Sequence, residues 1–390
     1  MYLGLARFAS FAALSAVALT VSSAAQAQVN LSLLKTVSLT STFTTGNAAF
    51  IGSNPSALAW NGTSAWLGGY NQSGAVGTTA IVQISNVLTG TTTFGTAFGQ
   101  INTTPNSRGL TSLAIQGSSL YASLDTGAGN ANSVRAFDAA TGTSLWAIGN
   151  AAGGNDSTRR GDGVAIDPGF NGGGTNQGVS YLSIGSGRRH LLNSTTGAYL
   201  NGQNAGAIVT TSAGTSNWRD LAFNPVTGDL YARESNRIAS AIRTADNNFG
   251  GSSAFLGNLT VNAAVDNNNI AFVNALNGGN FLIVNDRVSA ANGQSFSSVV
   301  KAFDLSGNQL SLTLGGFAPL LGNAAYDFAF DSASQTLAVS DFANRELYVF
   351  AVNPQQVPGG AAPEPASGVL GLIGFLTLGL YRRRRKTAGK

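Results

Sequence analysis

A short apolar segment with alanine at its centre recurs along most of this 390-residue chain. The copies are Leu58-Ala59-Trp60, Leu113-Ala114-Ile115, Val164-Ala165-Ile166, Leu221-Ala222-Phe223, Ile270-Ala271-Phe272 and Phe328-Ala329-Phe330. Successive alanines are 55, 51, 57, 49 and 58 residues apart. A repeat of about this length is typical of propellers, solenoids and other arrays in which one supersecondary unit is copied. The chain is therefore expected to fold as a series of similar units.

Each copy is followed by further strand-like segments. Examples of the second, third and fourth segments are Leu120-Tyr121-Ala122, Ser133-Val134-Arg135-Ala136-Phe137 and Ser144-Leu145-Trp146. The 50 glycines separate these segments, and the apolar residues do not follow a helical period. Six units of three or four short strands predict an all-β protein, a β-propeller of six blades with about four strands each.

The last unit lacks an obvious fourth strand before Val357, and residues 31–39 have the pattern of a strand that can supply it. Closing the ring in this way removes sheet edges that would otherwise invite aggregation. The small alanines are expected in the innermost strands, where large side chains would clash around the central channel. Because the spacings are irregular, a seven-bladed ring and an open β-solenoid remain alternatives.

The repeat resembles the six-bladed propellers of the NHL and SMP-30 type, in which the second strand ends near an acidic residue. Here those acids are Asp125, Glu234, Asp286 and Asp341. The resemblance implies an alternative function, a lactonase-like metal-dependent hydrolase whose cation is held partly by a glutamate of the first blade. No acidic residue lies between Asn30 and Leu124, so that ligand is missing. We therefore expect no catalytic residue, cofactor or metal site. The four acids are expected instead to accept hydrogen bonds from backbone amides in the turns after the second strands.

The first 27 residues have the layout of a secretory signal peptide. They contain one early basic residue, Arg7, then an apolar run from Phe8 to Val21, and end in Ala25-Gln26-Ala27. As a helix this run would span about 21 Å, less than the roughly 30 Å of hydrocarbon in a bilayer. We therefore predict cleavage after Ala27 rather than a membrane anchor.

The other end of the chain has a linker, 357–362, and three further parts in a fixed order. These are Pro363-Glu364-Pro365, an apolar run from Ala366 to Tyr381, and the cluster Arg382-Arg383-Arg384-Arg385-Lys386. Basic clusters stay on the cytoplasmic side of a membrane. The order therefore predicts a C-terminal transmembrane helix that holds the chain transiently at the inner membrane, with the propeller, 28–356, outside.

This ending resembles the PEP-CTERM sorting signal of Gram-negative bacteria that make extracellular polysaccharide. The resemblance covers residues 363–390 and rests on the Pro-Glu-Pro motif, the apolar helix and the arginine cluster. It implies that an integral-membrane exosortase recognises the motif and removes the helix. It also implies a secreted protein of the cell envelope, cell surface or extracellular matrix.

The predicted ends carry the excess of positive charge. Without Arg7, the six basic residues of the tail and Glu364, 14 basic and 16 acidic residues remain, so the +4 of the whole chain becomes −2. We therefore expect no nucleic-acid partner. The chain has no cysteine, which excludes disulfides and cysteine-ligated metal sites.

Eight of the 14 basic residues lie between Arg159 and Arg243. In a propeller, the loops before the first strands and after the second strands share one face, so we expect a basic patch there. Its candidate ligand-binding members are Arg159, Arg160, Arg188, Arg189, His190, Trp218 and Arg219. Guanidinium groups pair with carboxylates and an indole stacks on a sugar face, which predicts binding of an acidic exopolysaccharide. The alternative is solvated loop charges that pair with neighbouring acids.

The sequence therefore predicts an exported, exosortase-processed, non-enzymatic β-propeller that binds exopolysaccharide or a surface partner. Two other functions stay open. A lactonase-like hydrolase would hold a tightly bound divalent cation, and a purely structural matrix protein would have affinity for neither metal nor glycan.

Overall fold

A computed structural model describes residues 28–71, 77–103, 109–125, 133–149, 161–172, 177–183, 188–200, 219–233, 237–243, 249–258, 269–276, 279–288, 297–315 and 325–355. These residues form strands and turns, with short 3-10 turns at Thr40–Phe43 and Phe170–Gly172, which confirms the all-β class. Residues 28–355 make up one compact unit. Within the described ranges, no helix has the length and hydropathy needed to cross a membrane. The predicted signal peptide, linker and sorting segment lie outside these ranges.

The strands fall into consecutive groups of antiparallel neighbours, preceded by β1 (Gln28–Ser38). Group 1 contains β2 (Asn54–Trp60), β3 (Ala65–Tyr70), β4 (Gly77–Ser85), and β5 (Thr93–Phe94) and β6 (Phe98–Thr103), which both pair with β4. Group 2 contains β7 (Gly109–Gln116), β8 (Ser119–Asp125), β9 (Ser133–Asp138) and β10 (Ser144–Gly149). Group 3 contains β11 (Gly161–Asp167), β12 (Gly178–Ser183) and β13 (Arg188–Leu192).

The second half of the compact unit repeats this arrangement. Group 4 contains β14 (Asp220–Phe223), β15 (Leu230–Arg233), β16 (Arg237–Arg243) and β17 (Phe249–Asn258). Group 5 contains β18 (Ile270–Val273), β19 (Phe281–Val288), β20 (Ser297–Phe303) and β21 (Gln309–Gly315). Group 6 contains β22 (Ala325–Asp331), β23 (Thr336–Asp341) and β24 (Glu346–Gln355).

The first strand of each group carries one of the recurring alanines, as the sequence predicts. These first strands contact one another in the order β2, β7, β11, β14, β18 and β22, and β22 contacts β2 again. Within the described residues they therefore form a closed ring.

The apolar core is divided into clusters, each of which lies between neighbouring groups. Groups 4 and 5, for example, meet at Tyr231 and Phe272, whose ring centroids are 5.6 Å apart. Groups 1 and 2 meet around Trp66, whose indole N–H donates to the carbonyl of Ala139 over 2.9 Å. Burial of apolar surface between groups thus stabilises their face-to-face contact.

Strand β1 joins group 6, which confirms the predicted role of the N-terminal strand. It pairs antiparallel with β24, from Gln28 opposite Gln355 to Ser38 opposite Glu346. It also pairs in parallel with β21, the last strand of group 5, a contact that the sequence did not predict. Both edges of β1 are therefore covered, and groups 5 and 6 form a single eight-stranded sheet.

The ring has two ends. We call "top" the end at which the first strands begin and the second strands end, as where Tyr70 pairs with Gly109. We call "bottom" the opposite end, where the first strands end and the second strands begin. Strand β24 is parallel to β22 because both are antiparallel to β23. Gln355 and its partner Gln28 therefore both lie at the bottom.

Candidate functional site

A cavity of about 230 Å³ lies inside the ring of first strands. Residues from each of the six groups line it, including Ala59, Ala114, Ala165, Ala222, Ala271 and Ala329. The alanines thus occupy the innermost position that the sequence predicts for them. Two carboxylic acids, Asp220 and Asp327, also line the cavity.

Asp327 links the first strands of three groups. Its Oδ1 accepts hydrogen bonds from the Phe328 N–H over 2.8 Å and from Asn269 Nδ2 of group 5 over 3.0 Å. Its Oδ2 accepts from the Leu58 N–H of group 1 over 2.7 Å. Burial raises the pKa of Asp327 to about 7, although these hydrogen bonds act in the opposite direction.

Asp220 makes the same kind of link between groups 4 and 5. It accepts hydrogen bonds from the Leu221 N–H over 2.9 Å and from the Ile270 N–H over 3.0 Å. Burial first, and the nearby Asp327 carboxyl second, raise the pKa of Asp220 well above its ordinary value. Because ionising one acid makes it harder to ionise the other, the two titrate as an interacting pair.

Arg233 lies near Asp220 and is fully buried. Its Nη2 donates to the carbonyl of Asn285 in group 5 over 3.0 Å. Burial lowers the pKa of Arg233 to about 9, while Asp286 and Asp220 act in the opposite direction. The guanidinium thus supplies positive charge beside the acids of groups 4 and 5.

The bonds of the two acids favour a structural role. Each carboxyl accepts an N–H of its own strand and an N–H of the next group, so each fastens two neighbouring first strands together. Among the described residues, no three His, Asp or Glu side chains converge as a metal ion requires.

Arg189 and His190 do not lie in an exposed loop, so that expectation is wrong. Both belong to strand β13 and are buried, with 4% and 1% of their surface exposed. Arg189 Nη1 binds Asp167 Oδ2 over 2.8 Å, and Arg243 of group 4 binds the other oxygen of the same carboxylate. The His190 ring stacks on Tyr181 with centroids 4.6 Å apart and meets Tyr199 edge-on at 5.9 Å. The Asp167 carboxylate, which binds both Arg189 and Arg243, thus joins groups 3 and 4, while His190 packs against Tyr181 and Tyr199 rather than facing solvent.

The other predicted ligand-binding residues fall into two sets. Arg188 begins β13, and Arg219 is half-buried just before β14, where its backbone N–H donates to the Arg233 carbonyl over 2.8 Å. Arg159, Arg160 and Trp218 lie outside the described residues, as does the sorting motif Pro363, Glu364, Pro365, Arg382, Arg383, Arg384 and Arg385.

The acids after the second strands have mixed roles. Asp341 Oδ1 accepts the N–H groups of Ala343 and Asn344 over 2.9 Å each, which confirms the predicted turn function there. Asp286 instead forms an ion pair with Lys301 of the next strand. Glu234 lies outside the described residues.

Sequence reasoning missed Asp327, Asn269 and Asp167. The sequence position two residues before each recurring alanine could have indicated Asp327 and Asn269. Aligned on the alanines, these positions hold Ala57, Ser112, Gly163, Asp220, Asn269 and Asp327. A change from small to polar residues at one fixed register position would have indicated contacts between groups.

No protein-family model and no curated protein matches the chain. Solved structures with a similar shape include two auxiliary nutrient binding proteins, from Bacteroides ovatus and Bacteroides thetaiotaomicron. Their identities are 12% and 9% and their TM-scores 0.49 and 0.48, with 77% of this chain and 69% of each of those chains covered. The β-propeller domain of Cps50 (Swd1) from Myceliophthora thermophila has 9% identity and a TM-score of 0.43, with 77% of this chain and 84% of that chain covered. The function of this chain therefore has to follow from its own residues.

Proposed function

We propose that this chain is an exported, non-catalytic, six-bladed β-propeller of the cell surface or extracellular matrix. Residues 1–27 direct it across the inner membrane, and an exosortase removes the apolar tail after recognising Pro363-Glu364-Pro365. The top of the ring then binds an acidic exopolysaccharide.

The bounds of the compact unit are the observation that carries the export proposal. The unit runs from Gln28 to Gln355. Gln28 is the residue that follows the predicted cleavage site, and it is already paired with Ser311 and Gln355. Cleavage after Ala27 and within the tail would therefore leave every strand of the ring intact.

The ring of first strands supports the six-bladed architecture. Each group then corresponds to one blade, β1 is the outermost strand of the sixth blade, and each apolar cluster is the packing between two blades. The hydrogen bonds that the Ile270 N–H donates to Asp220 and the Leu58 N–H donates to Asp327 fasten neighbouring blades at the channel.

The top of the ring is the face proposed to bind polysaccharide. Strands β11 and β14 begin at the top with Gly161 and Asp220. Arg159 and Arg160 immediately precede the first of these strands in sequence, and Trp218 and Arg219 precede the second. Since Arg189 and His190 are buried, these four residues carry the binding proposal.

Processing is tested by the intact mass of the protein recovered from a Gram-negative host that makes an exosortase. We expect a chain that begins at Gln28 and has lost the segment from Ala366 onward. Replacement of Glu364 by Ala should leave the tail in place, whereas replacement of Glu346 by Ala should not. A wild-type protein with both ends intact would contradict the export proposal.

Binding is tested by retention on the acidic polysaccharide of the producing strain. The variant Arg159→Ala, Arg160→Ala, Trp218→Ala, Arg219→Ala should lose retention. The control Lys35→Ala removes a basic side chain of β1, away from these loops, and should keep it. Equal retention of both variants would contradict the binding proposal and favour a purely structural protein.

A further inference from the structure

Most exposed large apolar side chains of the described residues lie at the bottom of the ring. Val226, in the turn between β14 and β15, is 60% exposed, and Leu276, in the corresponding turn of group 5, is 64% exposed. Ile242, next to the end of β16, is 62% exposed. Leu145 and Leu200, 50% and 38% exposed, follow the third strands of groups 2 and 3. Of the large apolar residues exposed in the described ranges, Leu34 in the middle of β1 is the one away from this end.

The turns that carry Val226 and Leu276 each contact a bottom turn of a neighbouring group. The Leu276 N–H donates to Gln335 Oε1 of group 6 over 2.9 Å. Gly172 of group 3 approaches the Val226 turn so closely that an added Cβ would lie 2.5 Å from the Pro225 carbonyl oxygen. The apolar side chains are therefore displayed on a surface built by several groups rather than on isolated loops.

The chain leaves the ring at this same end. Gln355 lies at the bottom beside Gln28. The ten residues 356–365 separate Gln355 from the start of the apolar run at Ala366. Ten extended residues span at most about 36 Å. If residues 366–381 cross the membrane, the bottom of the ring is held within a short distance of the bilayer.

Among the described residues, the solvent-accessible charged side chains of the bottom turns are carboxylates. Asp138 accepts the Thr141 N–H, Asp304 the Asn308 N–H and Asp331 the Ser334 N–H, over 2.8, 2.8 and 2.7 Å. Hydrogen bonds to Thr141 lower the pKa of Asp138, so this carboxylate stays ionised. Acidic turns around apolar side chains suit a zwitterionic lipid surface better than an anionic one.

We infer that the bottom of the ring is a lipid-contacting surface that rests on a zwitterionic bilayer while the tail anchors the chain. The inference rests on the proposed function, since it needs the tail in the membrane. Val226, Ile242 and Leu276 enter the interfacial region, and burial of their apolar surface stabilises the contact. The top, with its proposed polysaccharide-binding loops, then faces away from the membrane.

The absence of cysteine from the chain makes the test direct. Full-length protein carrying Val226→Cys or Leu276→Cys is labelled with a fluorophore and reconstituted into phosphatidylethanolamine–phosphatidylcholine vesicles that contain brominated lipid. Ala343→Cys, in an exposed turn at the top, is the matched control. We expect both bottom labels to lose most of their fluorescence to the quencher and the top label to keep it. Replacing part of the lipid with phosphatidylglycerol should weaken quenching at the bottom.

Flotation of the vesicles distinguishes failure of the lipid-contacting surface from failure of the membrane anchor. Protein that floats with the vesicles but shows equal quenching at top and bottom would overturn the lipid surface and leave the anchor standing. Protein that does not float would overturn both. Quenching that grows with the phosphatidylglycerol content would also overturn the inference. Disulfide-linked dimers of Leu276→Cys without lipid quenching would overturn it as well, because the bottom would then contact a second copy of the chain.

Discussion

Replacement of Asp327 by Asn tests the link between the buried carboxyls and ring stability. The pKa of Asp327 is raised from 3.8 to about 7. An acid with a raised folded-state pKa contributes stability at pH values below its unfolded pKa, and loses that stability as pH rises through the folded pKa. Three pKa units at 1.36 kcal/mol each correspond to about 4 kcal/mol, lost mostly between about pH 4 and pH 7.

The amide of the Asn variant does not titrate, but its NH₂ group faces the Leu58 N–H and cannot accept the 2.7 Å hydrogen bond that Asp327 accepts. An unsatisfied buried donor costs about 1–3 kcal/mol. We therefore expect the variant to be less stable than wild type at pH 4 and equally or more stable at pH 8. Urea unfolding at pH values between these limits measures both curves.

Asp138→Asn is the control, because Asp138 lies at the end of β9 and has a lowered pKa rather than a raised one. Its stability curve should stay close to that of wild type across this range. A difference in unfolding free energy between Asp327→Asn and wild type that is the same at every pH would contradict a raised pKa of Asp327. Such a constant offset would mean that Asp327 is ionised throughout.

The remaining predictions concern contacts between neighbouring groups. Asp167→Ala leaves Arg189 and Arg243 buried without their shared carboxylate, and should lower the free energy of unfolding by about 3–5 kcal/mol in urea titration. A loss below about 1 kcal/mol would contradict the buried ion pairs of Asp167 with these two arginines. Gly163→Ala places a Cβ 2.6 Å from Asp220 Oδ1 and 2.7 Å from its Cα, so overpacking should cost about 1–3 kcal/mol. The control Gly95→Ala, whose added Cβ would lie 3.5 Å from the nearest neighbouring atom, lacks this clash. Thr336→Val removes the acceptor of the 2.8 Å hydrogen bond from Trp60 Nε1. It should lower the free energy of unfolding by about 1 kcal/mol and change the tryptophan emission. Unchanged emission would argue against this contact between groups 1 and 6.

Local pattern was enough to predict the class of the fold. The recurring alanine marks a strand whose neighbours leave no room for a larger side chain, and this constraint appears in each copy of the repeat. The closing role of β1 was also predictable, because the last unit had one strand too few. The parallel contact of β1 with β21 was not, since no sequence pattern near Gln28 or Ser311 records which outer strand lies beside another.

The buried polar residues were predicted less well, for a physical reason. Arginine is mostly exposed in folded proteins, and Arg189 and His190 follow a predicted second strand, so the sequence places them in a ligand-binding loop. Their burial depends on Asp167 and Tyr181, of which Asp167 lies 22 residues away along the chain. Pairing between strands, rather than local composition, decides whether such a side chain is satisfied inside the protein.

Closure of the ring through β1 is the central claim, and a disulfide across β1 and β24 tests it most directly. Asn30 and Asn353 are opposite one another in the register. In a chain without other cysteines, Asn30→Cys with Asn353→Cys should form an intramolecular disulfide in the purified protein, whereas Asn30→Cys with Leu145→Cys of β10 should not. Absence of the first cross-link, or its formation only between two chains, would contradict a ring closed by its own N-terminal strand.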